Sequence, residues 1–187
     1  FAIEHYGVVP DIIVMGKALG VYCPIAATIF SEKVAEVFDE HIFGHGQSFS
    51  GHALASAGAL ASIKVLQEEN ILEHVNTVGH YLGDKLGKIA KKHPSVGNVR
   101  GLGLFWTMEL LKNRETKESV RPQTQKYAPN IVRKISDFML KEKNIYIPAD
   151  KFGFWIVPPL IVKKDEIDFI VDAIDDALHI ADDDLKI

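Results

Sequence analysis

Apolar positions along this chain show two spacings: short continuous runs near the start and helical intervals further on. The runs Ile12-Ile13-Val14-Met15 and Ile25 to Phe30 are separated by Gly16, Gly20 and Pro24. This predicts two short strands joined by a tight loop. Ser31 follows as an N-cap whose hydroxyl can accept from an exposed backbone N–H, opening a helix through Phe38 with Val34 and Phe38 on its apolar side. That helix ends before Gly44 and Gly46. From His52 to about Leu66, the residues Leu54, Ala55, Gly58, Ala59, Ala61, Ser62 and Val65 are small or apolar at helical spacing, the pattern of a closely packed buried helix. A longer helix runs from Ile71 to about Lys92 with Leu72, Val75, Val78, Leu82, Leu86 and Ile89 on one side, and it stops before Pro94. Its length suits a bridge between domains.

Beyond it the period changes. Val99, Leu102, Leu104, Trp106 and Met108 point to strand, and the polar stretch from Lys112 to Pro129 reads as an exposed loop. Helical segments near Ile131 to Lys141 and Asp165 to Ala181 flank short strands expected near Ile145 and Trp155. Together these make a second, smaller α+β unit. No internal repeat is visible, and the acidic end Asp182-Asp183-Asp184 reads as a solvated tail.

Composition narrows the classes. The chain has 187 residues, a formal charge of −4 and 47% hydrophobic residues, as in an ordinary globular protein. Lys and Arg are scattered, so no basic face is offered to a nucleic-acid backbone, and Lys85, Lys88, Lys91 and Lys92 read as a solvated helix face. The single cysteine, Cys23, permits no intrachain disulfide and reads as a small buried side chain. No apolar run reaches the length of a membrane span and no signal peptide is apparent, so we expect a cytoplasmic protein. Its opening at Phe1, running quickly into a strand, suggests sequence upstream.

Two segments could carry chemistry. Lys17 follows an apolar strand between Gly16 and Ala18, where ligands of open α/β sheets bind. Desolvation there would favour the neutral amine that condenses with an aldehyde cofactor; a lysine after a strand is otherwise an ordinary surface residue. The segment Gly44-His45-Gly46-Gln47-Ser48-Phe49-Ser50-Gly51-His52 is rich in glycine and hydroxyls and leads into a helix N-terminus, a ready site for phosphate. The plain alternative is a flexible loop with Ser50 as an N-cap. Gly101-Leu102-Gly103 lacks the third glycine of a dinucleotide fingerprint and reads as a bend in a strand. His41 and His45 have ligand spacing, but the adjacent glycines argue against a helix there, and no metal site is expected.

Taken together, PDIIVMGKALG and GHGQSFSGH resemble the class III aminotransferases of pyridoxal-phosphate (PLP) fold type I. VRGLGLFWTMEL and FWIVPPLIVKKDEID match the same family's C-terminal domain. The resemblance implies an α/β fold in which 1–70 end the large cofactor domain, 71–94 form a linking helix and 95–187 form the small C-terminal domain. It further implies that Lys17 forms the internal aldimine, and that Ser48, usually threonine in the family, contacts the cofactor phosphate across a homodimer interface, with Phe49 beside it. An amine donor and a keto acid such as pyruvate would react in ping-pong fashion, with Lys17 moving the proton. VYCPI and HGQSFSGH lean toward the taurine or ω-amino acid–pyruvate type.

Two departures limit the transfer. The family's acid for the pyridinium nitrogen and its phosphate and ring contacts would lie before Phe1, so the isolated chain is expected to be a poor catalyst or none. Where many members carry an arginine before the PP pair, this sequence has Lys151-Phe152-Gly153-Phe154-Trp155. Lys151 and Arg100 therefore become the candidates for holding a substrate carboxylate, and Tyr22 for lining the substrate pocket, each with packing, an ion pair or plain solvation as the alternative. Rival readings are another class III reaction, such as an aminomutase, and a non-catalytic assembly module that keeps the fold.

Overall fold

The two apolar runs of the first 30 residues form a hairpin. In the computed structural model, which describes residues 1–120 and 130–186, strand β1 (Ile12–Met15) pairs antiparallel with β2 (Ala27–Phe30), with Ile12 opposite Phe30 and Met15 opposite Ala27. The chain divides into two units, Phe1–Asn70 and Ile71–Ile187.

In the first unit a short 3-10 turn, Lys17–Leu19, follows β1. Ser31 does stand at a helix N-cap, but its hydroxyl is buried and makes no capping bond. The expected helix through Phe38 is two single turns, α1 (Glu32–Ala35) and α2 (Val37–Glu40), and Phe38 turns into an aromatic cluster with Phe30 and Phe43. Helix α3 (Ala53–Glu68) is capped by His52, and Asn70 in the left-handed region stops the chain from continuing it. The expectation of a buried α3 is corrected: Ala55 and Ala59 are its buried residues, while Leu54 and Leu60 are about two-thirds exposed. Helical spacing identifies which side chains are apolar, and no element described in this unit covers the large ones.

The second unit is built on a four-stranded antiparallel sheet. Its central strand β4 (Phe105–Asn113) pairs with β3 (Val96–Leu102), β5 (Glu118–Ser119) and β6 (Gly153–Ile156). Gly101-Leu102-Gly103 is the tip of the β3–β4 hairpin and not a bend within a strand: Leu102 pairs with Phe105, and Gly103 takes φ +55°. Helices α4 (Ile71–Lys92), α5 (Asn130–Lys143) and α6 (Lys164–Leu185) complete the unit. Along α4 the buried positions Val78, Leu82, Leu86 and Ile89 follow one stripe, and they meet Met108 and Leu110 of β4 and Ile174 and Leu178 of α6 in one core. Each such side chain contributes about 1.5–3 kcal/mol by leaving water. Leu72, expected on this stripe, is exposed.

Four further expectations change. The polar stretch after Lys112 is not all exposed loop, because Lys112 and Asn113 belong to β4 and Val120 is buried; 121–129 lie outside the described residues. No strand forms at Ile145, whose N–H bonds the Met139 carbonyl, and only an isolated bridge joins Ala149 to Phe154. Lys85 and Lys92 are not simply solvated, since they pair with Asp168 and Asp175 of α6. The acidic end is the last turn of α6 and not a tail: Asp182 bonds the buried His93 ring and the Ser95 N–H, and Asp184 pairs with Lys134.

Candidate active site

Lys17 stands at the end of β1, where the strand gives way to a tight turn. Gly16 is extended, Lys17 itself takes φ +50°, and Val21 takes φ +54°. A non-glycine residue in this region costs of order 1–2 kcal/mol, and a β-branched one is a true outlier. Strain of this kind gathers where a chain presents a functional group. The turn is closed by N–H groups of Leu19, Gly20 and Cys23 donating to the carbonyls of Gly16, Lys17 and Gly20. Gly20 is the residue that permits it, because a Cβ there would lie 2.0 Å from the Cys23 carbonyl oxygen.

The Lys17 side chain is exposed, so the expected desolvation is not provided by this chain's own residues. It lines an open hollow of about 570 Å³ with Val21, Tyr22, Cys23, Pro24, Ile25 and Ala26. Tyr22 is 97% exposed and packs against no core, and Cys23 is half-buried with its sulfur toward Gly58 of α3.

A second hollow, of about 720 Å³, is lined by the same Cys23–Ala26 segment, which the two hollows share as a wall. Phe49, Ser50 and the first residues of α3 line it; Ser48 is exposed and is not among the lining residues. The helix cap is not Ser50. Its hydroxyl accepts from the Gln47 N–H at 3.3 Å, and His52 caps α3 by accepting from the Ala55 N–H through Nδ1 at 3.4 Å. That bond leaves Nε2 to carry the proton of the neutral ring.

Arg100 and Lys151 belong to the second unit. Arg100, on β3, faces Glu109 at 3.5 Å, and Lys151 sits in the turn before β6 with its ammonium 4.9 Å from the Phe152 ring. Asp150 fixes that turn by accepting from the Phe152 and Gly153 N–H groups.

Residues 1–178 match the aminotransferase class III family. The chain belongs to the class III aminotransferases. An aminotransferase of Gibberella zeae is 33% identical over 189 residues, covering 95% of this chain and 36% of that protein. The taurine–pyruvate aminotransferase of Bilophila wadsworthia is 32% identical over 184 residues, covering 95% of this chain and 40% of that protein. Among solved structures, the ω-transaminase of Pseudomonas jessenii in complex with PMP matches at TM-score 0.85 and 31% identity, covering 100% of this chain and 41% of that one. The chain thus spans about two-fifths of the length of the relatives it matches.

Class III aminotransferases are PLP-dependent, and the residues around Lys17 fit the aldehyde end of that cofactor. They offer a primary amine in a hollow with no carboxylate in its lining, and among the described residues no acid pairs with it. The fit is limited to that end, because among the described residues the lining contains no acid for the pyridinium nitrogen. Reading the sequence along its length also missed what holds the Lys17 turn in this member of the class III family: Ser62 of α3 donates to the Ala18 carbonyl at 3.3 Å. The available signal was Ser62 lying one helical turn from Gly58, on the small-residue face of α3.

Proposed function

We propose that this chain is the cofactor-lysine portion of a PLP-dependent aminotransferase that moves an amino group from an amine or ω-amino acid donor to a keto acid by ping-pong kinetics. The observation that carries the reading is Lys17, the one cation among the described residues that line its hollow, held on a strained turn at a strand end. Bound PLP supplies the electron sink that stabilises negative charge at the donor carbon. Lys17 contributes the amine that fixes the cofactor and, once released from it, a base that moves a proton at the amine-bearing carbon. Tyr22 walls the hollow beside it. Ser48 and Phe49 serve the cofactor of a neighbouring subunit in a homodimer.

For the substrate carboxylate we favour Lys151 over Arg100. Arg100 is already opposed by Glu109, whereas Lys151 has no carboxylate partner among the described residues. On this reading 1–70 end the large domain, 71–94 link the domains and 95–187 form the small domain of a cytoplasmic enzyme. Similarity to the taurine–pyruvate enzyme supports a donor of taurine or ω-amino acid type with pyruvate as acceptor. Among the described residues no helix is long and apolar enough to cross a membrane.

The test is an absorbance spectrum of the full-length protein with PLP, before and after borohydride, beside a Lys17→Ala variant. A cofactor band fixed by reduction in the parent and missing in the variant supports the reading, and donors are then screened for an amine released against pyruvate. A folded parent that shows no band sinks it.

A further inference from the structure

We infer that Ser62 is a positioning residue for Lys17, holding from α3 the strained turn that presents the lysine amine; the inference rests on the proposed reading of Lys17 as the cofactor lysine. The turn places two residues with side chains, Lys17 and Val21, in the left-handed region. Neither conformation is favoured locally, so contacts from elsewhere must hold them. The turn's own N–H groups occupy the carbonyls of Gly16, Lys17 and Gly20. The carbonyl of Ala18, the residue after the lysine, is taken by the Ser62 hydroxyl at 3.3 Å, from a residue 44 positions later in the chain.

Gly58 makes this reach feasible. It lies one helical turn before Ser62 on the same face of α3. A Cβ at Gly58 would stand 3.2 Å from the Cys23 sulfur, so the bare backbone there lets the helix lie directly on the end of the turn. The turn is therefore held at two points, Ala18 through a hydrogen bond and Cys23 through close packing. Fixing the Ala18–Leu19 peptide sets the backbone on the C-terminal side of Lys17, and with it the direction in which the lysine side chain leaves. Anchoring matters at this position because a reacting amine displaced by about 1 Å loses on the order of a hundredfold in rate.

Three variants of the full-length protein test this: Ser62→Ala and Ser62→Val, which remove the hydroxyl, and Ser62→Thr, which keeps it. The first readout is amide hydrogen exchange at Leu19, Gly20 and Cys23 in protein free of PLP. Loss of one modest hydrogen bond corresponds to exchange about three- to tenfold faster at these amides. The expected result is that acceleration in the Ala and Val variants, unchanged exchange in the second unit, and return toward the parent with Thr. In the PLP-loaded enzyme kcat falls with KM for the donor unchanged, and Thr again restores it. Exchange equal to the parent in both the Ala and Val variants overturns the inference, as does a Thr variant that behaves like Val. Borohydride reduction followed by mass spectrometry separates the two levels of argument. If the reduced parent carries no cofactor on the Lys17 peptide, the functional reading fails; if Lys17 is labelled throughout and the hydroxyl makes no difference, only the role of Ser62 fails.

Discussion

The Nδ1 of His93 lies 2.6 Å from the Asp182 carboxylate, joining the end of α4 to the last turns of α6. His93 is 1% exposed, and its other nitrogen faces Asp175 at 2.9 Å. The second oxygen of Asp182 accepts from the Ser95 N–H, so this one carboxylate organises the chain where it leaves α4. Arg114 completes the junction by donating to the carbonyls of Val96 and His93 at 2.6 and 2.7 Å, and to that of Ala90 in the last turn of α4, an acceptor that a helix end leaves without an intrahelical partner.

Removing Asp182 leaves Asp175 facing Nε2 but strips the buried His93 Nδ1 and the Ser95 N–H of their acceptor, and each buried polar group left unsatisfied costs about 1–3 kcal/mol. Asp182→Ala is therefore expected to lower the unfolding free energy by about 3 kcal/mol. Asp183→Ala, one residue on and exposed, should stay within about 0.5 kcal/mol of the parent. Urea denaturation of both variants checks the contrast, and equal effects would mean that the His93 junction contributes nothing special.

Acid should weaken the same junction through Asp175. Burial pushes its carboxyl up, but hydrogen bonds from Lys92 and His93 outweigh that and hold it below the usual carboxylate value of 3.8. A carboxyl depressed in the folded state binds protons more readily when unfolded, so its contribution is present above pH 3.8 and is lost as the pH falls through and below that value. Urea midpoints measured between about pH 6 and pH 3 are expected to fall more steeply in the parent than in Asp175→Asn. Parallel curves would show that Asp175 is not coupled to stability in this way.

How much of this was legible in the sequence depended on whether the decisive contact was local. Helix α4 was readable almost to the residue, because one stripe from Val78 to Ile89 and the stop at Pro94 lie within a single segment. The β1–β2 pair was readable for the same reason. Asp182 was misread as part of a tail because its partner His93 is 89 positions away. Similarly, the small residues of α3 suggested burial, but their spacing could not say that Gly58 and Ser62 face the Lys17 turn while Leu54 and Leu60 stand exposed. The place of Lys17 just after a strand was legible in the apolar run before it, whereas its left-handed backbone was not, since lysine carries no propensity for that conformation.

Two glycines of α4 should respond in opposite directions to the same substitution. At Gly87 an added Cβ meets nothing within 4 Å, so Gly87→Ala gains helix propensity and stabilises by up to about 1 kcal/mol. At Gly83 the Cβ would lie 2.4 Å from the Trp106 ring, and that ring is tethered by its Nε1 donating to the Gly103 carbonyl at 2.7 Å. Overpacking costs about 1–3 kcal/mol, which exceeds the propensity gain, so Gly83→Ala destabilises. Thermal unfolding of the two variants reads the sign directly.

Gly20→Ala tests whether the Lys17 turn depends on its shape. The added Cβ would stand 2.0 Å from the Cys23 carbonyl oxygen and 2.5 Å from the Ile25 side chain, and the first obstacle is backbone that cannot swing aside. To relieve the overlap the turn must open, which breaks the Cys23 N–H bond to the Gly20 carbonyl and moves the wall of the Lys17 hollow. The second unit lies beyond Asn70 and should keep its amide exchange pattern. In the full-length protein, borohydride reduction with PLP followed by peptide mass spectrometry is expected to show labelling of Lys17 reduced at least tenfold relative to the parent, since about 1.4 kcal/mol of misplacement suffices for that loss. Undiminished labelling would mean that the amine needs no fixed turn to reach the cofactor, and the strain at Lys17 and Val21 would then have no functional consequence.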